Sequence, residues 1–161
     1  MKNILPFKMD INYQLLKDFV ECNKNKFKTY VDYRPIQGTK WTIFKTDTCE
    51  YGQKILKKLQ LKGYPRFYIL LANTSLEPHV DLGTLCSVNF LINEENAPIT
   101  IEEKDYWYKN ALINTTKVHS VNNNTNIDRY IFKISIKDQT FDQVCNHFYE
   151  LQKKSILQIL D

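Results

Sequence analysis

Read for its apolar spacing, the chain starts with a helix over about Asp10 to Asn23, where Leu15, Leu16, Phe19 and Val20 recur at helical intervals. Asp10 is placed to cap it. A second helix is expected from Thr48 to Leu61, with Tyr51, Ile55, Leu56 and Leu59 on one stripe and Asp47 or Thr46 as its cap. Gly63 and Pro65 end it. Beyond Pro65 the period shortens. Arg66–Ala72, Leu85–Ile92, Ile99–Glu102, Tyr106–Tyr108, Ala111–Asn114 and Tyr130–Ile136 read as strands, and turn-forming stretches such as 93–96 and Asn122–Asn126 separate them. An amphipathic helix from about Phe141 to Leu160 closes the chain, with Phe141, Val144, Phe148, Leu151 and Ile159 along one face. Short strands at this spacing favour an antiparallel sandwich or barrel over a parallel sheet. The expectation is a single α+β domain over 1–161: N-terminal helices, a β-rich core at about 65–137 forming a jelly roll, and a covering C-terminal helix.

Composition changes this picture little. The chain of 161 residues is 43% hydrophobic and 13% aromatic, ordinary for a globular domain and rich in strand-favouring rings. Four glycines leave no material for a glycine-rich phosphate loop. The net charge of +4 is mild, and a solvated lysine-rich surface accounts for it. Lys54, Lys57, Lys58 and Lys62 fall at helical spacing and read as such a face rather than as phosphate contacts. Cys22, Cys49, Cys86 and Cys145 form neither a CxxC pair nor a zinc-ligand spacing, which fits a cytoplasmic protein with reduced thiols. Neither a signal peptide nor a membrane-spanning run is expected.

The chemistry concentrates on few residues. The chain holds three histidines, and one stands in Pro78-His79-Val80-Asp81. Side chains two apart on an extended segment project to one side, so His79 and Asp81 can address one atom. His119 follows an expected strand over 114–118. Two imidazoles and a carboxylate are the set that holds Fe(II) while leaving positions open, whereas a structural zinc site closes with four protein ligands. H-x-D alone is a weak signal. Arg129 strengthens it: one of only three arginines, it stands ten residues after His119 at the head of DRYIFKISI, where it can bind a carboxylate bidentately.

With these residues, PHVD, NTTKVHSV and DRYIFKISI, the sequence resembles the Fe(II)- and 2-oxoglutarate-dependent dioxygenases, whose core is a double-stranded β-helix. The stretch CSVNFLINEENAPITI resembles the segment that family places between its ligand sites, and the resemblance spans about Phe67 to Ile136. It is nearer the prolyl- and aspartyl/asparaginyl-hydroxylase branches than the nucleobase-demethylating one. The resemblance implies that His79, Asp81 and His119 are the catalytic iron ligands and that Arg129 binds the distal carboxylate of 2-oxoglutarate. Dioxygen is then the oxidant, and a C–H bond of a protein side chain or small metabolite is hydroxylated. Many relatives carry a hydroxyl residue two positions after the arginine; here Ile131 stands there, and Tyr68 is the candidate for the second carboxylate contact. The alternative is a cupin-like metal-binding or interaction module without oxygenase activity. Nucleic acid is a less favoured substrate, no membrane partner is expected, and the oligomeric state is open. Asp105–Tyr108 reads either as a pocket floor or as core, and Trp41 likewise. His147 reads as a surface or capping residue, and Cys86 as a buried structural thiol.

Overall fold

The structure is a computed structural model that describes residues 2–29, 43–93 and 97–160. Trp41 and the 94–96 turn lie outside the described residues. The strands are β1 (Ile4–Lys8), β2 (Lys28–Thr29), β3 (Ile43–Asp47), β4 (Tyr64–Leu70), β5 (Thr74–His79), β6 (Cys86–Leu91), β7 (Ile99–Ile101), β8 (Lys104–Tyr106), β9 (Asn110–Ile113), β10 (His119–Asn123), β11 (Arg129–Ile136) and β12 (Gln158–Ile159). The helices are α1 (Tyr13–Cys22), α2 (Glu50–Lys58) and α3 (Phe141–Lys153). Among the described residues every strand pairing is antiparallel. Two sheets result, one in the order β12-β1-β9-β6-β11-β4-β3-β2 and one in the order β5-β10-β7-β8. The architecture is the expected α+β jelly roll.

Alternation along β11 divides the molecule into layers. Tyr130, Phe132, Ile134 and Ile136 face one way, into a core shared with Phe67, Val88, Phe90 and the buried stripes of the three helices. Phe132 anchors it, with its ring centroid 5.0 Å from that of Phe67 and 5.8 Å from that of Phe90. Arg129, Ile131, Lys133 and Ser135 project the opposite way, toward the small sheet. There a second, smaller core gathers Leu70, Leu91, Ile99, Ile101, Tyr108 and Val121. Helices, large sheet and small sheet thus form three layers, and the site lies between the two sheets.

Several boundaries differ from expectation. Asn12, not Asp10, caps α1, its side chain accepting from the Leu15 N–H. Cys49, not Asp47 or Thr46, caps α2, because residues 43–47 extend as β3 beside β4. α3 ends at Lys153 rather than Leu160: Ser155 takes a positive φ of 58°, and Ile159 pairs with Phe7 as strand instead of continuing the helical face. The stretch 114–118 is a turn rather than a strand, and His119 opens β10 instead of following one. His147 is half-buried with Nε2 2.8 Å from the Leu59 carbonyl, so it ties α3 to the end of α2. Cys86 is a buried thiol, as expected, and burial pushes its pKa up to about 12. Among the described residues no helix is long and apolar enough to cross a membrane.

Candidate metal centre

Three elements at one end of the barrel bring the expected ligands together. β5 ends on His79, β10 begins on His119, and the two residues are direct cross-strand partners. The register slips between His119 and Val121, where Glu77 and Pro78 are accommodated as a bulge. Without that slip the pleat would turn one imidazole outward. Asp81 lies just past β5, fixed by its N–H donating to the Thr115 carbonyl at 3.0 Å. Thr115 Oγ1 in turn donates to the Thr84 carbonyl at 3.0 Å, so the turn after Asp81 is held at both ends. Gly83 in that turn has φ +73°, a conformation that favours glycine.

One ligand atom from each of His79, Asp81 and His119 lies within 4.8 Å of the others. Asp81 Oδ1 is 3.4 Å from His79 Nε2 and 3.7 Å from His119 Nε2, and the imidazole centroids are 4.3 Å apart. Both Nδ1 atoms are spoken for: that of His79 is 2.7 Å from the Glu77 carbonyl and that of His119 is 2.8 Å from the Lys117 carbonyl. A carbonyl only accepts, so each Nδ1 carries a proton and each ring turns its Nε2 toward the centre, the atom through which a neutral imidazole would bind a metal. Carbonyl-oriented imidazoles of this kind are typical of metal sites. Burial depresses the His119 pKa to about 4, against the opposing pull of the Asp81 charge, and keeps the ring neutral near pH 7. Burial alone would raise the Asp81 pKa. The Lys133 ammonium, the largest of the opposing causes, outweighs it and holds the carboxyl below the usual carboxylate range.

The large sheet supplies the facing wall. Lys133 Nζ is 2.6 Å from Asp81 Oδ2. The cross-strand partners of Lys133 are Arg66 and Asn89, which share its face. One rung deeper, Tyr68 sits opposite Ile131, and Lys133 Nζ lies 5.9 Å above its ring. Arg129 is another rung deeper and fully buried, with NH1 donating to the Ala97 carbonyl at 2.6 Å and NH2 to Tyr108 Oη at 3.4 Å. Asn89 Nδ2 also reaches Tyr108 Oη at 3.4 Å and Ser87 Oγ donates to Asn89 Oδ1 at 2.9 Å. A polar file therefore descends through an otherwise apolar barrel, from the triad through Lys133, Asn89 and Tyr108 to Arg129.

All three expected metal ligands come together, each offering a ligand atom within 4.8 Å of the others, whereas Tyr68 and Arg129 lie on successive rungs of the facing sheet. The sequence reading missed Lys133 and Asn89. The signal was present: in YIFKISI the positions alternating with buried Phe132, Ile134 and Ile136 are the inward ones, and Lys133 is one of them. Of Asp105–Tyr108, Tyr108 enters the barrel, Tyr106 packs on the inner core, and Trp107 is 57% exposed.

The sequence matches no protein-family model, and no curated protein matches it. Similar solved structures include a cupin domain of an XRE family transcriptional regulator from Enterobacter cloacae, at 10% identity over 61% of this chain and 99% of that one, with a TM-score of 0.46. The Cnp3 cupin domain of Schizosaccharomyces pombe is 8% identical over 78% of this chain and 81% of its own, TM-score 0.46. KdgF from a Halomonas species is 10% identical over 80% and 94%, TM-score 0.43.

Proposed function

We propose that the chain is a non-haem Fe(II)- and 2-oxoglutarate-dependent oxygenase that hydroxylates a C–H bond of a protein side chain or small metabolite. The observation that carries this reading is the triad itself: one ligand atom from each of two imidazoles and a carboxylate lies within 4.8 Å of the others, with Asp81 Oδ1 3.4 and 3.7 Å from the two Nε2 atoms. That donor set suits Fe(II) and leaves further positions for small ligands. His79, Asp81 and His119 would hold the metal, which when bound supplies the activation of dioxygen.

The chain's own residues do the rest. The Glu77 and Lys117 carbonyls fix the imidazole tautomers and ring orientations. Lys133 and Arg129 put two cations on the inner face of β11, a charge suited to a dicarboxylate, while Arg66 beside Lys133 is 42% exposed and pairs with Asp47. The buried apolar side chains around them exclude water, which strengthens charge recognition. Tyr68 flanks the end near Lys133, while the hydroxyl in contact with Arg129 is that of Tyr108, so Tyr108 joins Tyr68 as a candidate second carboxylate contact.

The test is an anaerobic titration with Fe(II) and then 2-oxoglutarate, followed by the weak visible charge-transfer band of the chelate. The expected outcome is a band in the parent protein that needs far more 2-oxoglutarate in Arg129→Met. Tyr108→Phe and Tyr68→Phe then show which hydroxyl contributes. Metal binding without any band would instead favour a cupin-like metal-binding module. One observation supports that second reading: the Arg129 guanidinium is already committed to Ala97 and Tyr108 and has no exposed surface.

A further inference from the structure

Lys133 is an unusual neighbour for a metal-binding carboxylate. Strand alternation fixes it on the inner face of β11, and its register with Arg66 and Asn89 sets its depth at that of the triad. Its ammonium meets Asp81 at 2.6 Å, with both side chains only 18% exposed. The contact is selective. Oδ2 takes the lysine, while Oδ1 is the oxygen facing the Nε2 atoms of His79 and His119. Lys133 therefore holds Oδ2 while Oδ1 is left to the two imidazoles.

We infer that Lys133 is a positioning residue for the metal centre: by occupying Oδ2 it presents Oδ1 alone, so Asp81 ligates through one oxygen. The inference rests on the metal-site reading given above and gives Lys133 a role toward Asp81 that the reading does not itself assign. A carboxylate free on both oxygens can rotate and carry Oδ1 away from the two Nε2 atoms, so that the three donors no longer face one place when a cation arrives. The ammonium prevents this with a short charge-assisted hydrogen bond, stronger than a neutral one. It also balances the buried charge of Asp81 before a metal arrives, so the ligand arrangement is set in advance.

The experiment measures Co(II) affinity of the full chain by visible absorption in four proteins: the parent, Lys133→Met, Asp81→Asn, and the double variant. Lys133→Met is expected to weaken Co(II) binding about 10- to 100-fold, the range for losing a partner that orients a ligand. In the Asp81→Asn background the same change should alter affinity less than twofold, since there is no charged carboxylate left to position. Lys133→Arg, which keeps a cation at the strand face, should recover most of the loss. Equal losses in both backgrounds would assign Lys133 a general structural role and overturn the inference, and unchanged or tighter binding in Lys133→Met would do the same. His119→Ala separates the two levels: if the parent binds Co(II) no better than His119→Ala, the metal site itself is refuted, and the role of Lys133 with it.

Discussion

The neutral, buried state of His119 makes the folded apoprotein sensitive to mild acid. His119 is 5% exposed, and burial lowers its pKa from 6.5 to about 4. An unfolded chain takes up this proton as the pH falls through 6.5, whereas the folded chain resists until near 4. The contribution is thus complete above the unfolded value and is lost as the pH falls toward the folded one. At 1.36 kcal/mol per pKa unit, going from pH 7.5 to 5 should remove about 2 kcal/mol through this residue alone. Asp81 does not blur the window. Its carboxyl titrates below the usual range in the folded state, so its own contribution fades only at lower pH. The assay is urea unfolding of metal-free protein at both pH values, comparing the parent with His119→Gln, whose side chain does not titrate. The parent should lose about 2 kcal/mol more than the variant over this interval, a sizeable part of a typical domain's stability. Losses agreeing within 0.5 kcal/mol, roughly the resolution of such extrapolations, would refute the argument that burial keeps the ring neutral.

Two further predictions concern packing. Gly52→Ala should destabilise the fold by about 1–3 kcal/mol in thermal or urea unfolding despite alanine's better helix propensity, because its Cβ would lie 2.1 Å from Thr48 Oγ1 and 2.9 Å from Phe132 Cε2. Phe132→Ala should cost about 3–5 kcal/mol by the same measurement, as a fully buried ring in contact with Phe67 and Phe90 is lost, and it should leave the metal affinity of the remaining folded fraction unchanged.

The parts of the site legible in the sequence are those set by local periodicity. His79 and Asp81 are two residues apart, so any extended backbone puts them on one side, and that geometry holds. The inward set of β11 was equally readable once one face was known to be buried, because Phe132, Ile134 and Ile136 fix the phase. What local pattern could not give was pairing. His119 meets His79 through a bulge that no spacing rule reveals. β1, β3, β5 and β10 escaped notice because they are short or partly polar. TSLEPH, for example, contains a proline and a glutamate in its exposed half and lacks the apolar alternation of a covered strand. Lys133 was passed over for a related reason: a lone lysine on a strand reads as solvent-facing unless a buried carboxylate across the barrel gives it a partner.

The division of the site between two sheets has a consequence for how its properties can vary. The proposed metal ligands sit on or just beyond strands of the four-stranded sheet, whereas Lys133, Tyr68 and Arg129 belong to the eight-stranded one, which the helices brace from behind. Among the described residues, the smaller core of Ile99, Ile101, Val121 and their neighbours fills the gap between them, and the Lys133–Asp81 ion pair spans it. On the proposed reading, substitutions in that seam would retune the spacing between the cation ligands on one half and the groups facing them on the other while leaving each half intact.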